Sequence, residues 1–439
     1  MKFRAKRAGT EVPASPISQP APAPAGPAAP GGPGGGWWAQ GAAAPQQPGP
    51  SATVPPQRPT AAGPLSATDS ALIRASLSVV EPHADNLPGF FYATLFGRYP
   101  AVRELFPTDM DVQHDRLLRA LLLIVDLVDD PANLARFCAH LGRDHRKFGT
   151  ESAHYAAVGE CLLATLQHYA GPAWNAQTAA AWSRAYRTVA SAMDEAARAD
   201  AAVRPAVWPA RIVEHRRHGL DIAELTVRPE LPYPFTGGQF ASLETPWFPK
   251  VWRYYSPANA PRPDGTVTFH VRAVPGGRVS GALVHRAAVG DLLRLGAPQG
   301  DMVLDPTGRR DVVCVAGGTG LAPIRALVEQ AALDGAERRV ELFLGARTAE
   351  GLYGLDDLLL MSQRHRWLTI RAAIADQDAR GGVGYLPKVL AEAGPWQHHD
   401  AYLSGPAPMI VTAARVLTRA GVPLERIHHD PFVSLAEAS

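Results

Sequence analysis

The chain has 439 residues, of which 46% are hydrophobic, and its formal net charge is +2. This length exceeds what one hydrophobic core usually holds, so we expect roughly two to four domains. The small net charge and the lack of a long basic stripe argue against nucleic acid or an acidic membrane as the main partner. The cysteines, Cys138, Cys161 and Cys314, follow no disulfide or metal-ligand spacing, which favours a reducing, cytoplasmic setting.

Residues 1–64 consist mostly of Ala, Pro and Gly. A segment of this composition buries too little apolar surface to offset its ordering entropy, so it predicts a disordered tail. Its basic start, MKFRAKR, is not followed by the apolar stretch that a signal peptide or a membrane span needs. Trp37 and Trp38 are unusual there, and they are either a chance occurrence or a docking point for a partner.

Residues 65–203 have the pattern of an all-α domain. Apolar residues recur at spacings of three and four, as in Leu117, Leu121 and Val125, and β-rich alternation is missing. Pro and Gly separate the apolar runs, which indicates helix ends. We therefore predict an all-α domain over residues 65–203.

Two further domains follow along the chain. Residues 204–308 contain short β-rich segments separated by Pro, Gly and Asp turns, which predicts a small antiparallel β-barrel. Residues 309–439 alternate strand-like and helix-like segments, which predicts an α/β domain with a parallel sheet. The predicted fold is therefore multidomain: a disordered tail, an all-α domain, a β-barrel and an α/β domain.

The clearest chemical motif begins the α/β domain. The apolar strand DVVCVA runs directly into four residues, Gly317, Gly318, Thr319 and Gly320, before a helix-like segment. Glycines allow the backbone to approach a phosphate, and a helix N-terminus offers free N–H groups. The stretch resembles the nicotinamide-binding lobe of the ferredoxin–NADP reductase superfamily. Residues 402–410, YLSGPAPMI, are similar to its Cys-Gly-Pro segment, with Ser404 in place of the cysteine.

Two motifs upstream resemble the flavin site of the same superfamily. The segment RYYS, residues 253–256, is similar to its Arg-x-Tyr-Ser motif. This resemblance implies Arg253 at the FAD pyrophosphate, Tyr255 against the flavin or its ribityl chain, and Ser256 near the flavin N5. The segment GRVS resembles the Gly-x-Val-Ser phosphate cradle and implies FAD contacts from Gly277, Val279 and Ser280.

The helical domain and the C-terminus complete a resemblance to the flavohaemoglobin family. The stretch FFYATLFGRYPAVRELFP, residues 90–107, is similar to a flavohaemoglobin segment. The resemblance implies several haem-pocket roles: a distal tyrosine, a phenylalanine wedged against the haem, a distal glutamine with a leucine one turn on, a proximal iron ligand and a tyrosine ten residues later. These residues are Tyr92, Phe106, Gln113, Leu117, His145 and Tyr155. Near the C-terminus, Phe432 matches the aromatic that stacks on the flavin.

One position departs from the family pattern. Members carry an acid in the last globin helix that hydrogen-bonds the proximal imidazole. Counted from Trp182, the matching position is Ala199, so no acid is in register. Glu195 is the favoured candidate for the acid that contacts the imidazole, and Asp200 is the second choice. A third alternative, in which neither acid contacts the imidazole, stays open.

The resemblance implies an NAD(P)H-dependent nitric oxide dioxygenase with haem b, FAD and NAD(P)H as cofactors. NAD(P)H reduces FAD, FAD reduces haem, and the oxygenated haem converts nitric oxide to nitrate. Its partners are then small molecules: O₂, nitric oxide and the nucleotide. Two alternatives stay open, an NAD(P)H-dependent haem oxidase or reductase for another acceptor, and a gas or redox sensor with a resetting reductase. NADH is slightly favoured, although Arg347 follows a strand where the 2′-phosphate of NADPH could bind.

Overall fold

The computed structural model describes residues 65–335, 338–374 and 386–430. Two predictions lie outside these ranges: the disordered tail over residues 1–64, which contains Trp37 and Trp38 with both of their interpretations, and the flavin-stacking role of Phe432. Within them the predicted multidomain order is confirmed, because helices come first, an antiparallel sheet follows and a parallel sheet comes last. The domain boundaries themselves stay predictions.

The helical domain contains six α-helices. They are α1 (Ala67–Val80), α2 (Leu87–Arg98), α3 (Asp111–Asp126), α4 (Pro131–His145), α5 (Ser152–Ala170) and α6 (Ala176–Ala201). Their apolar faces meet in two buried clusters, one around Phe91 and Trp182 and one around Cys138 and Met193. Helices α4 and α6 approach closely at Gly142, since a Cβ there would clash with the carbonyl oxygen of Met193. In the described ranges no helix has the length and apolarity to span a membrane.

The predicted barrel is a six-stranded sheet in which every pair of neighbours is antiparallel. Its strands are β1 (Trp208–His218), β2 (Ile222–Pro229), β3 (Ala241–Thr245), β4 (Phe248–Tyr255), β5 (Val267–Arg272) and β6 (Leu292–Leu295), in the order β4-β3-β6-β1-β2-β5. A bridge between Pro257, just after β4, and Phe269 on β5 brings the two outer strands together. Helix α7 (Arg278–His285) packs Val279 and Leu283 into the core of this unit, the barrel domain.

The α/β domain is built on a five-stranded parallel sheet. Its strands are β7 (Val312–Gly317), β8 (Val340–Ala346), β9 (Leu368–Ile374), β10 (Asp400–Ser404) and β11 (Ile427–His429), in the order β11-β10-β7-β8-β9. Its helices are α8 (Leu321–Leu333), α9 (Leu355–Arg364), α10 (Leu386–Ala393) and α11 (Ala407–Arg419). Strand β8 lies on one side of β7 and β10 lies on the other, so the order of the strands reverses at β7. In parallel sheets, ligands bind at the carboxyl end of such a reversal point.

Buried polar groups join the barrel domain to the α/β domain. The ring Nδ1 of His270, on β5, lies 3.1 Å from the hydroxyl of Tyr353, between β8 and α9. The backbone N–H of Ala260 donates to the carboxylate of Glu329, on α8, over 3.1 Å. These contacts fix the carboxyl end of the parallel sheet beside the end of β5.

All three cysteines are free and buried. Cys138 lies on α4, Cys161 on α5 and Cys314 in the middle of β7. Burial raises the pKa of Cys138 to about 11 and that of Cys314 to about 12, and it also raises the pKa of Cys161. The thiols therefore serve as small core side chains.

Candidate functional site

The glycine motif of the α/β domain forms a tight turn between β7 and α8. Gly318 has a φ of +56°, a left-handed conformation that favours glycine. Gly320 packs against the end of β10, where a Cβ would clash with the backbone of Ser404. The structure thus brings the GGTG motif and the segment around Ser404 together, as the resemblance implies.

A cavity of about 700 Å³ opens beside this turn. Its lining includes glycine backbone, two guanidinium groups and side chains that follow β10, among them Arg272, Gly317, Gly318, Arg347, Thr348, Pro406 and Met409. Thr319 and Gly320 shape the turn but are not among the lining residues. Glycine backbone and arginine side chains suit an anionic nucleotide, so the residues present fit NAD(P)H.

The expected flavin motifs line a second cavity, of about 360 Å³. Arg253 and Tyr255 reach it from β4, while Gly277, Val279 and Ser280 reach it from the start of α7. A Cβ on Gly277 would clash with the Ser280 hydroxyl, so only glycine leaves this cradle open. The cradle fits a phosphate group, and five of the six predicted FAD contacts in the barrel domain meet here. Ser256, the sixth, follows β4 and is not among the lining residues.

Helix α3 of the helical domain reaches the same flavin cavity. Val112, Gln113 and Arg116 are among its lining residues. Gln113 lies in the first turn of α3, at the border between the two domains, which explains why its side chain can reach the barrel domain. Its backbone carbonyl accepts a hydrogen bond from the hydroxyl of the predicted distal tyrosine, Tyr92, over 3.4 Å. A role of Gln113 toward haem stays a prediction.

The predicted distal tyrosine lies in an aromatic cluster of the helical core. Tyr92 is buried on α2, and its ring centroid lies 5.4 Å from that of Phe106 and 5.4 Å from that of His114. Leu117, on α3, packs against the same core. Burial raises the pKa of Tyr92, so the phenol keeps its proton and can donate a hydrogen bond. The structure therefore brings Tyr92, Phe106 and Leu117 together.

The predicted iron ligand is the last residue of α4. The Nδ1 atom of His145 lies 2.7 Å from the carbonyl oxygen of Leu141, one turn earlier. A carbonyl oxygen only accepts, so Nδ1 carries the hydrogen and Nε2 carries the lone pair that a metal ion needs. Burial lowers the pKa of His145, which also favours the neutral imidazole. This donor set fits a haem iron.

The assignment of Glu195 as the acid beside the imidazole is corrected. Glu195 lies on the exposed face of α6, and the imidazole nitrogen that it was expected to contact faces the Leu141 carbonyl instead. Asp200, the second choice, pairs with Arg146 and Arg204. The helix period turns neighbouring residues to different faces, so Glu195 points outward where Asp194 is buried.

Tyr155 is buried on α5, in the cluster that joins α4 and α6. Burial, together with the charge of Asp194, raises the pKa of Tyr155 to about 12. Its backbone carbonyl accepts a hydrogen bond from the hydroxyl of Tyr186 over 2.5 Å. The predicted catalytic role of Tyr155 stays a prediction.

Sequence reasoning missed several residues that connect the sites. Arg272 lines both cavities, and its guanidinium lies within 4 Å of the position that a Cβ on Gly318 would take. Lys147, two residues after His145, is buried against the barrel domain. For Arg272 a signal existed, since it ends a strand just before the GRVS motif; no local sequence pattern marks Lys147.

Sequence models of three domain families match the chain in this order. The globin family matches residues 89–193, the oxidoreductase FAD-binding domain matches residues 212–304, and the oxidoreductase NAD-binding domain matches residues 314–415. These matches agree with the expected cofactor set of haem b, FAD and NAD(P)H. The ranges contain His145, the flavin motifs and the glycine turn, respectively.

Relatives match either the whole architecture or its reductase half. A flavohemoprotein of Bordetella pertussis is 27% identical over 403 residues, which is 84% of this chain and 98% of the relative. The xylene/toluene monooxygenase electron transfer component of Pseudomonas putida is 36% identical over 233 residues, covering 52% of this chain and 66% of the relative. The reductase component of the naphthalene 1,2-dioxygenase system of Pseudomonas putida is 32% identical over 237 residues, with coverages of 51% and 70%.

A solved structure extends the agreement in fold to nearly the whole described chain. The flavohemoglobin of Malassezia yamatoensis superposes with a TM-score of 0.69 at 18% identity, over 83% of this chain and 99% of that one. At this identity the likeness concerns the fold. Taken with the three domain matches in their order and the relatives of full length, it shows that the chain belongs to the flavohaemoglobin family.

Proposed function

We propose that this protein is an NAD(P)H-dependent oxidoreductase that delivers electrons through FAD to a haem in its globin domain, where nitric oxide and O₂ are converted to nitrate. The observation that carries the proposal is the flavin cavity. Val112, Gln113 and Arg116 of helix α3 line it together with Arg253 and Tyr255. A flavin held by these residues would lie beside helix α3 of the globin domain, which supports electron transfer within one chain.

The reaction balances without a further reductant. Two nitric oxide and two O₂ molecules, with one NAD(P)H, give two nitrate ions, one NAD(P)⁺ and one proton. When bound, NAD(P)H supplies a hydride, FAD divides its electron pair, and haem supplies an iron centre for O₂ chemistry. The residues of the chain therefore have to bind, orient and stabilise charge.

On the nucleotide side, the chain supplies backbone and cations. Gly317 and Gly318 let the main chain approach a phosphate, and Arg272 and Arg347 present guanidinium groups to it. At the flavin, Arg253 suits the pyrophosphate, and Tyr255 offers a flat apolar wall. Burial raises the pKa of Tyr255 to about 12, so this wall stays uncharged.

On the haem side, the chain supplies one ligand and one buried donor. Nε2 of His145 has the lone pair for iron, because Nδ1 faces the Leu141 carbonyl. The phenol of Tyr92 stays protonated inside an apolar cluster. A donor in such a dry setting stabilises negative charge that develops on an oxygen substrate more strongly than it would in water.

The test measures nitric oxide consumption and nitrate formation by the purified holoprotein with NADH or NADPH in air. We expect one nitrate per nitric oxide consumed and one nucleotide oxidised per two nitric oxide molecules. Tyr92→Phe keeps the packing and removes the donor, so it is expected to slow this turnover and leave flavin reduction unchanged. NADH oxidation that is indifferent to nitric oxide and yields no nitrate would overturn the proposed substrate.

One observation favours a second candidate, a haem reductase or oxidase for another acceptor. The partner of the imidazole is the neutral carbonyl of Leu141, whereas a carboxylate would make the ligand more electron-rich. Fast reduction of haem by NAD(P)H combined with very slow nitric oxide turnover would favour this candidate.

A further inference from the structure

A buried lysine crosses the border between the globin domain and the barrel domain. Lys147 lies in the turn that follows α4, two residues after His145, and 4% of its side chain is exposed. Its ammonium pairs with Asp144 over 2.6 Å and donates to the hydroxyl of Ser242, on β3, over 3.1 Å. One ammonium group thus contacts both domains.

Asp144 makes a second tie across the same border. Its Oδ1 atom, which pairs with Lys147, also accepts a hydrogen bond from the side-chain amide of Gln299 over 2.8 Å. Gly296 allows this close approach, because a Cβ there would clash with the Ser242 hydroxyl and would lie 3.5 Å from Cδ of Lys147. We call Asp144, Lys147, Ser242 and Gln299 the lysine bridge.

Aromatic rings surround the ammonium group of the lysine bridge. The Nζ atom of Lys147 lies 5.2 Å from the ring centroid of Phe148, 5.5 Å from that of Trp252 and 5.4 Å from that of Tyr254. These distances are typical of cation–π contacts. Trp252 and Tyr254 lie on β4, on either side of the flavin-motif residue Arg253.

The lysine bridge connects the proposed iron ligand to the flavin-motif strand. The ring of His145 lies 6.0 Å from that of Phe148, and the ring of Phe148 lies 6.4 Å from that of Trp252. Trp252 lines the flavin cavity together with Arg253. A displacement of α4 against β4 would therefore change the separation of the two cofactor sites directly.

A buried ion pair is an expensive way to hold two domains together. Removing an ammonium and a carboxylate from water costs free energy that apolar residues of similar volume would avoid. Such a pair does, however, define one relative position, because its hydrogen bonds require specific partners. Electron transfer requires a fixed distance between the donor and the acceptor, because its rate falls steeply as that distance grows.

We propose that Lys147 is a positioning residue, which sets the separation of α4 and β4 and thereby the rate at which electrons pass from the flavin site to the haem site. This inference rests on the proposed function. The net step oxidises one NAD(P)H to NAD(P)⁺ and a proton, and it reduces two ferric haems to the ferrous state.

The test is anaerobic rapid mixing of the full-length holoprotein with NADH, with flavin absorbance and the haem Soret band followed separately. The variants are Lys147→Met, which keeps the stem and removes the charge, and Lys147→Arg, which keeps the charge. Lys388→Met is the matched control, because Lys388 lies on α10 with its side chain 70% exposed. Hydrogen exchange of peptides from β3 and from the end of α4 supplies a readout that does not depend on turnover.

In Lys147→Met we expect unchanged cofactor loading and flavin reduction, and haem reduction slower by about tenfold or more, as for other small misplacements of reacting groups. Exchange should become faster on both sides of the border, Lys147→Arg should recover part of the rate, and Lys388→Met should behave as wild type. Equal slowing of both steps, or no slowing of haem reduction, overturns the inference. Failure of wild type to reduce its haem after its flavin overturns the proposed function instead.

A milder pair of variants decides the question if Lys147→Met fails to fold. Ser242→Ala and Gln299→Ala each remove one hydrogen bond that crosses the border and leave the Lys147–Asp144 pair intact. Slower haem reduction with normal flavin reduction in these variants supports the inference. Wild-type haem reduction in both overturns it.

Discussion

The two ends of the proposed electron path are built from different parts of the chain. At the nucleotide cavity the backbone of a glycine turn, Gly317 and Gly318, forms part of the lining, and Gly320 holds this turn close to the end of β10. At the haem side, the proposed functional groups are single side chains on helices: His145 ends α4 and Tyr92 lies on α2. The shape of a backbone-lined site depends on the positions of its glycines. The chemistry of a site built on helices depends on the orientation of a few side chains.

The largest effect is expected from His145→Ala, which removes the only group proposed to hold the iron. The Soret band should be lost almost completely, while FAD loading and flavin reduction by NADH stay unchanged because His145 lines neither the flavin cavity nor the nucleotide cavity. Absorbance spectra of the purified variant measure both. His140→Ala, an exposed histidine on the same helix, is the control. An unaltered Soret band in His145→Ala would show that another residue ligates the iron.

Arg253→Ala tests a site that combines both features, because the flavin cavity is lined by the Arg253 side chain and by the backbone around Gly277. Loss of charge-assisted hydrogen bonds to a phosphate costs about 1.5–3 kcal/mol, so FAD should bind roughly ten- to a hundredfold more weakly. Haem content should stay the same. Titration of FAD into the stripped protein measures the affinity, with the exposed Arg211→Ala on β1 as the control. Wild-type affinity would contradict the assignment of the RYYS motif.

Gly320→Ala tests the backbone-built end itself. The added methyl group clashes with the backbone of Ser404, and such overpacking costs about 1–3 kcal/mol. The melting temperature should fall and KM for NAD(P)H should rise. Gly281→Ala is the matched control, since a Cβ there meets nothing within 4 Å and alanine favours a helix. Identical melting of the two variants would mean that the close approach at Gly320 has no energetic importance.

The smallest effect is expected from Glu195→Gln. Glu195 is exposed, so the change in stability should stay within about 0.5 kcal/mol and the haem spectrum should not change. Asp194→Asn makes the informative comparison, because Asp194 is buried and pairs with Arg198 over 3.0 Å. That variant should lose about 1–3 kcal/mol, measured by denaturant unfolding. A spectral change in Glu195→Gln would restore the corrected assignment.

The difference between the backbone-lined nucleotide site and the helix-borne haem site explains which features the sequence could predict. The parallel sheet and the glycine turn were predictable because alternation and the Gly317–Gly320 spacing reflect local backbone requirements. The helical domain was predictable as a fold, since apolar periodicity marks the buried faces. His145, Tyr92 and Phe106 could be proposed because the short helical stretches that contain them resemble flavohaemoglobin segments.

Other parts of the site depend on contacts between distant segments, and local patterns do not report them. The orientation of Glu195 depends on the rotation of α6, which a one-residue shift changes by about 100°. Gln113 lies at a domain border, where its side chain can reach either the core of the helical domain or the flavin cavity. Its position along α3 does not reveal which of the two it reaches. Lys147 becomes notable only once Ser242, almost a hundred positions later, is seen beside it.

The burial of every cysteine has a consequence for how this protein would withstand its proposed substrates, nitric oxide and O₂. Oxidants and nitrosating agents attack the thiolate form of cysteine at accessible positions. Cys138, Cys161 and Cys314 are buried, and burial raises the pKa of each thiol, so all three are neutral at physiological pH. A protein that handles nitric oxide and O₂ would thus offer them no accessible cysteine thiolate.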